Sequence, residues 1–107
     1  MAIARLDVPQ KARRGEAVPV RIIIKHPMET GFRRDDEGRA VPKNVVNRFV
    51  CRYGGEEVFR AELGSGIAVN PYLQFFTLAR ASGEIECEWW DDAGEQGTAR
   101  AALSVEG

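Results

Sequence analysis

Between Val18 and Lys25 the chain reads VPVRIIIK, and every second residue is a branched aliphatic: Val18, Val20, Ile22 and Ile24. Side chains of an extended strand alternate between its two faces, so this period of two sends those four one way and Pro19, Arg21, Ile23 and Lys25 the other. The period returns at VVNRFVCRY, with Val45, Phe49, Cys51 and Tyr53 on one face and Val46, Arg48, Val50 and Arg52 on the opposite one. EIECEWW groups Ile85, Cys87 and Trp89, and TARAALSV groups Ala99, Ala101, Leu103 and Val105. No window carries a sustained apolar stripe at i, i+3, i+4, so the pattern calls for half-buried strands and not for amphipathic helices.

Turn chemistry separates these strands. Gly54-Gly55 offers the positive backbone angles of a tight hairpin into EEVFRAEL, Ala81-Ser82-Gly83 links LQFFTLAR to EIECEWW, and Asp91-Asp92-Ala93-Gly94 marks the next turn. With IARLDVP at the start, stopping at Pro9, about seven antiparallel strands are expected, a number that suits an all-β immunoglobulin-like sandwich. A chain of 107 residues has room for one core, so residues 1–107 are expected to form a single domain. Trp89 and Trp90 follow both cysteines instead of lying between them, so the Cys…Trp…Cys arrangement of antibody domains is absent.

Fifteen Lys+Arg against sixteen Asp+Glu leave a net charge of -1, which removes the electrostatic footprint of a nucleic-acid binder. No apolar run of the roughly 18 residues needed to cross a bilayer occurs, so a membrane partner has no support. The opening MAIARLDVPQ lacks a basic region followed by an apolar stretch, which taken alone points to the cytoplasm. Cys51 and Cys87, 36 residues apart, match neither CxxC nor a zinc-ligand spacing, and buried free thiols are the expected state, with pairing left open.

Two segments break the strand rhythm. Pro27 to Asn44 is far longer than the roughly 4–6 residues of a typical connection, and GSGIAVNPYLQ carries an Asn70-Pro71 turn signal with Ile67 and Tyr72 placed to pin it. The stretch KHPMETGFRRDDEG, Lys25 to Gly38, holds the only histidine. His26 continues the face of Ile24 at the strand's end, where partial exposure and a capping hydrogen bond are expected; a Ser-His-Asp or Cys-His site would need partners that no spacing identifies. A metal site drawn from His26, Glu29, Asp35 and Asp36 has no matching motif. A glycosidase-like pair from Asp35, Asp36 and Glu37 lacks a recognisable cleft, and a solvated turn explains them better. No catalytic residue, metal or cofactor is therefore assigned. Met28, Phe32, His26 and Arg33-Arg34 suit a docking surface, because methionine adapts its shape and arginine supplies planar hydrogen-bond forks. A long solvated hairpin loop accounts for the same residues equally well.

The run HPMETG at His26 to Gly31, NRF at Asn47 to Phe49 leading into Cys51, and NPY at Asn70 to Tyr72 together resemble SoxZ, the Z subunit of the SoxYZ sulfur-carrier complex of bacterial sulfur (thiosulfate) oxidation. The resemblance spans nearly the whole chain. It implies an immunoglobulin-like sandwich that is not an enzyme, forms a heterodimer with SoxY, and helps present SoxY's sulfur-bearing cysteine arm to the other Sox enzymes, which dock transiently. It implies the periplasm, reached without a signal peptide of its own by co-export with SoxY. The family wording marks His26, Met28, Glu29, Arg48 and Asn70, and with Phe32, Arg33 and Tyr72 these form the expected partner-binding set. The solvent-side aromatic and branched residues of one sheet are expected to bury against SoxY, and an isolated chain to self-associate as a homodimer. An autonomous thiol carrier using Cys51 is the alternative.

Overall fold

The computed structural model describes residues 3–64 and 70–107. Eight strands run in the order β1 (Ile3–Asp7), β2 (Lys11–Arg13), β3 (Ala17–Lys25), β4 (Val46–Tyr53), β5 (Glu56–Glu62), β6 (Tyr72–Leu78), β7 (Gly83–Asp91) and β8 (Gln96–Glu106). They form a three-stranded sheet, β1-β3-β6, and a five-stranded sheet, β2-β8-β7-β4-β5. The two make an immunoglobulin-like β-sandwich, as the period-two pattern predicts. The expected count of about seven antiparallel strands agrees with the eight among the described residues, seven of them in antiparallel pairing, while the short β2 pairs with β8 in parallel. Three residues are too few to display a period, and β2 exists only because β8 offers it an edge.

The sandwich closes because each sheet has one apolar face. Val18, Val20, Ile22 and Ile24 of β3 are fully buried, and across the core so are Phe49, Cys51, Ile85, Cys87, Trp89 and Leu103 of the larger sheet. Phe75 of β6 stacks on Phe59 of β5 at 4.2 Å between centroids and meets Phe49 edge-on at 6.3 Å, so three aromatic rings join the two sheets. Gly54 and Gly55 take positive φ angles of 61° and 83° in the β4–β5 hairpin, a backbone shape that side chains with a Cβ resist.

Two local expectations change. Val46, assigned to the outer face by simple alternation, is buried together with Val45. The β4–β7 register shifts between Val46 and Arg48, and an extra residue in a strand reverses which face the preceding ones point to. His26, expected to be partly exposed, is buried. The pinning role given to Ile67 lies outside the described residues.

Candidate functional site

His26 follows the last residue of β3, and the alternation that buries Ile24 carries its ring inward as well. There Nδ1 accepts the Met28 N–H at 2.9 Å, so the neutral ring keeps its proton on Nε2 and donates it to Asp91 Oδ2 at 3.0 Å. Asp91 ends β7, and its other oxygen accepts the Glu95 N–H at 2.9 Å. The backbone of His26 is held too: its N–H donates to Asn70 Oδ1, and its carbonyl accepts the Asn70 N–H, both at 3.0 Å. A histidine with both ring nitrogens committed to internal partners and no open face is a structural tie, not a general base.

The rest of the HPMETG run extends the same tie. Met28 adopts φ 50°, which turns its buried sulfur to accept the Val46 N–H at 3.2 Å. Glu29 and Asn44 exchange backbone hydrogen bonds of 2.8 Å, closing the root of the 27–44 loop. Asp92 accepts the Val45 N–H and the Asn47 amide, and Asn44 Oδ1 accepts the Ala93 N–H. The loop root, the β7–β8 turn and Asn70 thus form one polar knot at one end of the sandwich. Asp91, Asp92 and Asn44 were missed by sequence reasoning, which saw Asp91-Asp92-Ala93-Gly94 only as a turn; nothing local links them to His26.

Burial by itself raises the Asp91 carboxyl, but hydrogen bonds from His26, Glu95 and Ala93 outweigh it and hold the group below the usual carboxylate range. Its stabilisation is therefore fully present above the unfolded value of about 4 and is lost as pH falls through the depressed folded value. Urea midpoints measured from neutral pH downward should stay level to about pH 4 and then drop. Asp91→Asn, which cannot take up the proton, should start lower at neutral pH and fall less steeply in acid; parallel acid limbs in the two proteins would remove Asp91 from the account.

The predicted partner-binding residues do not form one surface. His26, Met28 and Asn70 converge in the knot, the first two buried. Glu29 and Arg33 pair at 2.8 Å on the loop above it, and Phe32 beside them is 90% exposed. In the turn beyond, Asp35 Oδ1 accepts the N–H groups of Glu37 and Arg39, so its carboxylate organises a tight bend. Arg48 lies on the outer face of the five-stranded sheet, its guanidinium 4.1 Å from the Trp90 ring centre. Tyr72 lies on the outer face of the other sheet.

The two outer faces differ in chemistry. On the five-stranded sheet Arg52 pairs with Glu86 and Glu88, and Arg100 with Glu84 and Glu86, a ladder of opposite charges that suits water. On the three-stranded sheet Ile23 (41% exposed), Tyr72 (54%), Phe76 (62%) and Leu78 (60%) face solvent. Ile23 opposes Tyr72 across the β3–β6 register and Pro19 opposes Phe76, with the Arg21–Gln74 pair between them, so the apolar groups form two clusters on one face. The other edge of β6 pairs with no described strand. Sequence reading put Ile23 outside but did not separate Phe75 from Phe76, of which only the first enters the core.

Cys51 and Cys87 are free and buried, opposite each other in the β4–β7 register, with their sulfurs 3.7 Å apart. The Cys87 S–H donates to Cys51 Sγ, which with the nearby Arg52 charge lowers the Cys51 thiol against the effect of burial; the same bond, burial and the neighbouring carboxylate of Glu86 push Cys87 up.

The sequence model of the family described as "Sulphur oxidation protein SoxZ" matches residues 5–102. No curated protein gives a significant sequence match. Among solved structures, a superoxide reductase (neelaredoxin) from Ignicoccus hospitalis superposes with TM-score 0.73 at 17% identity, covering 96% of this chain and 80% of its own. The sulfur carrier protein SoxY from Chlorobium limicola f thiosulfatophilum superposes with TM-score 0.67 at 12% identity, covering 97% of this chain and 79% of its own. At these identities the likenesses speak to the sandwich alone. The match of the family sequence over almost the whole chain speaks to descent: the chain belongs to the SoxZ family of sulfur-oxidation proteins.

Proposed function

We propose that this chain is the non-catalytic subunit of a SoxYZ carrier, pairing one-to-one with SoxY through the outer face of its three-stranded sheet. The observation that carries this reading is the outer face on which Ile23, Tyr72, Phe76 and Leu78 are exposed to either side of the Arg21–Gln74 pair, because a sandwich gains nothing from leaving four large apolar side chains of one face in water. The charge ladder on the opposite sheet argues for that face staying wet. A stable pair buries about 1,600 Å² in total, with a few aromatic anchors carrying most of the affinity, and Tyr72 and Phe76 are of that type. The edge of β6 that pairs with no described strand adds backbone donors and acceptors to the same surface. Without SoxY this face covers itself, and the isolated chain forms a homodimer.

The His26 knot then serves as foundation. It fixes the loop that carries Phe32 and the Glu29–Arg33 pair, the docking point for the Sox enzymes that act on SoxY's loaded arm. Catalysis and sulfur transfer stay with the partners, in the periplasm, where this chain arrives together with SoxY. A carrier role for Cys51 itself needs an exposed thiolate, and Cys51 is shut inside the core.

Co-expression with SoxY followed by size-exclusion chromatography with mass determination tests the pairing. Wild type and the Cys51→Ser/Cys87→Ser variant should both give a 1:1 complex, whereas Phe76→Glu/Leu78→Glu, with both changes at exposed sites, should weaken it by at least ~100-fold. Full binding by the double glutamate variant would move the interface elsewhere, and loss of binding in the serine variant would transfer the chemistry to Cys51.

A further inference from the structure

Cys51 and Cys87 stand directly opposite on neighbouring antiparallel strands, both in the core-facing row that runs Phe59, Cys51, Cys87, Ala99 across the five-stranded sheet. Opposed residues of an antiparallel pair have Cα atoms roughly 4.5–5.5 Å apart, inside the roughly 4.4–6.8 Å that a disulfide spans. Their sulfurs are 3.7 Å apart, so bond formation needs the two to close by less than a side-chain rotation and no shift of the strands. We propose that Cys51 and Cys87 are a modification site that closes as a cross-strand disulfide between β4 and β7, in exchange with a small-molecule or protein disulfide.

The chemistry runs in two exchanges. Cys51, the more acidic of the pair, attacks the oxidant disulfide as a thiolate, forming a mixed disulfide and releasing one thiolate. Cys87 then gives up its proton and attacks the Cys51 sulfur, expelling the second thiolate. Two protein thiols lose two protons and two electrons, and the oxidant disulfide becomes two thiols. Both sulfurs are buried, so the first attack requires β4 to open locally. The register shift between Cys51 and Arg52 in the β4–β5 pairing marks where that ladder is weakest beside the thiol. The closed bridge spans a 36-residue separation and ties two interior strands of the larger sheet, so the oxidised chain unfolds at a higher temperature.

The full chain is incubated natively with oxidised glutathione, quenched in acid, then unfolded and alkylated. The expected product takes up no alkylating reagent, weighs less by the mass of two hydrogens, and yields a linked Cys51–Cys87 peptide. Its Tm rises by roughly 10 °C, whereas Cys51→Ser/Cys87→Ser treated identically does not change. Two alkylated cysteines after treatment under mild heating that opens the sheet, a stable glutathione adduct on one cysteine, or a bridged chain that melts below the reduced one would each overturn the proposal.

Discussion

His26→Ala lowers unfolding free energy by about 3 kcal/mol, the largest loss expected from any single residue of the HPMETG run. Among the described residues the imidazole is the only side-chain donor to the buried Asp91 Oδ2 and the only acceptor for the buried Met28 N–H, so alanine strands a carboxylate and an amide at once. A buried charge robbed of its partner costs more than the partner contributed in place, because water cannot reach it. His26→Gln keeps a donor on a longer side chain and should recover part of the loss; His26→Asn keeps an acceptor near Met28 N–H and should recover less. Chemical denaturation of the three variants decides it. A loss below about 1 kcal/mol for alanine would mean that the knot is held by backbone pairing alone.

Gly97→Ala is expected to cost about 3 kcal/mol or more, although it adds one methyl group. A Cβ built on Gly97 falls within the indole of Trp89, against Cε2, Cζ2 and Nε1. Gly97 is the register partner of Trp89 on β8, and Trp89 is among the largest fully buried side chains, so the ring has nowhere to turn. Among the described residues Trp89 Nε1 has no hydrogen-bond partner, so it is packing that holds the ring there. In a Trp89→Leu background the same glycine change should cost markedly less. Equal costs in both backgrounds would exclude the steric account, since a double-mutant cycle reads only what the two positions share.

The sandwich was legible because it rests on a local signal. Alternation at Val18–Ile24, Ile85–Trp89 and Ala99–Val105 depends on the strand's own geometry, and the Gly54-Gly55 hairpin on the freedom of two residues. The family wording was legible as a pattern of residues, but not as roles. His26 and Asp91 are 65 positions apart, and no period or spacing couples them. The same holds for Gly97 under Trp89 and for Cys51 facing Cys87: each pair exists because two strands meet in one register and not in the next.

Sequence alone determined that this chain makes strands, which residues of most strands turn inward, and, through its family-specific runs, the lineage it belongs to. Tertiary structure decided that β2 joins β8 in parallel, that a bulge turns Val46 inward, that His26 is tied rather than offered, and that Phe76 but not Phe75 remains in water. The physical reason is range: side-chain alternation is set by a strand's own backbone, while register, burial of polar groups and the exposure of one sheet's outer face are settled only when distant strands compete for the same partners.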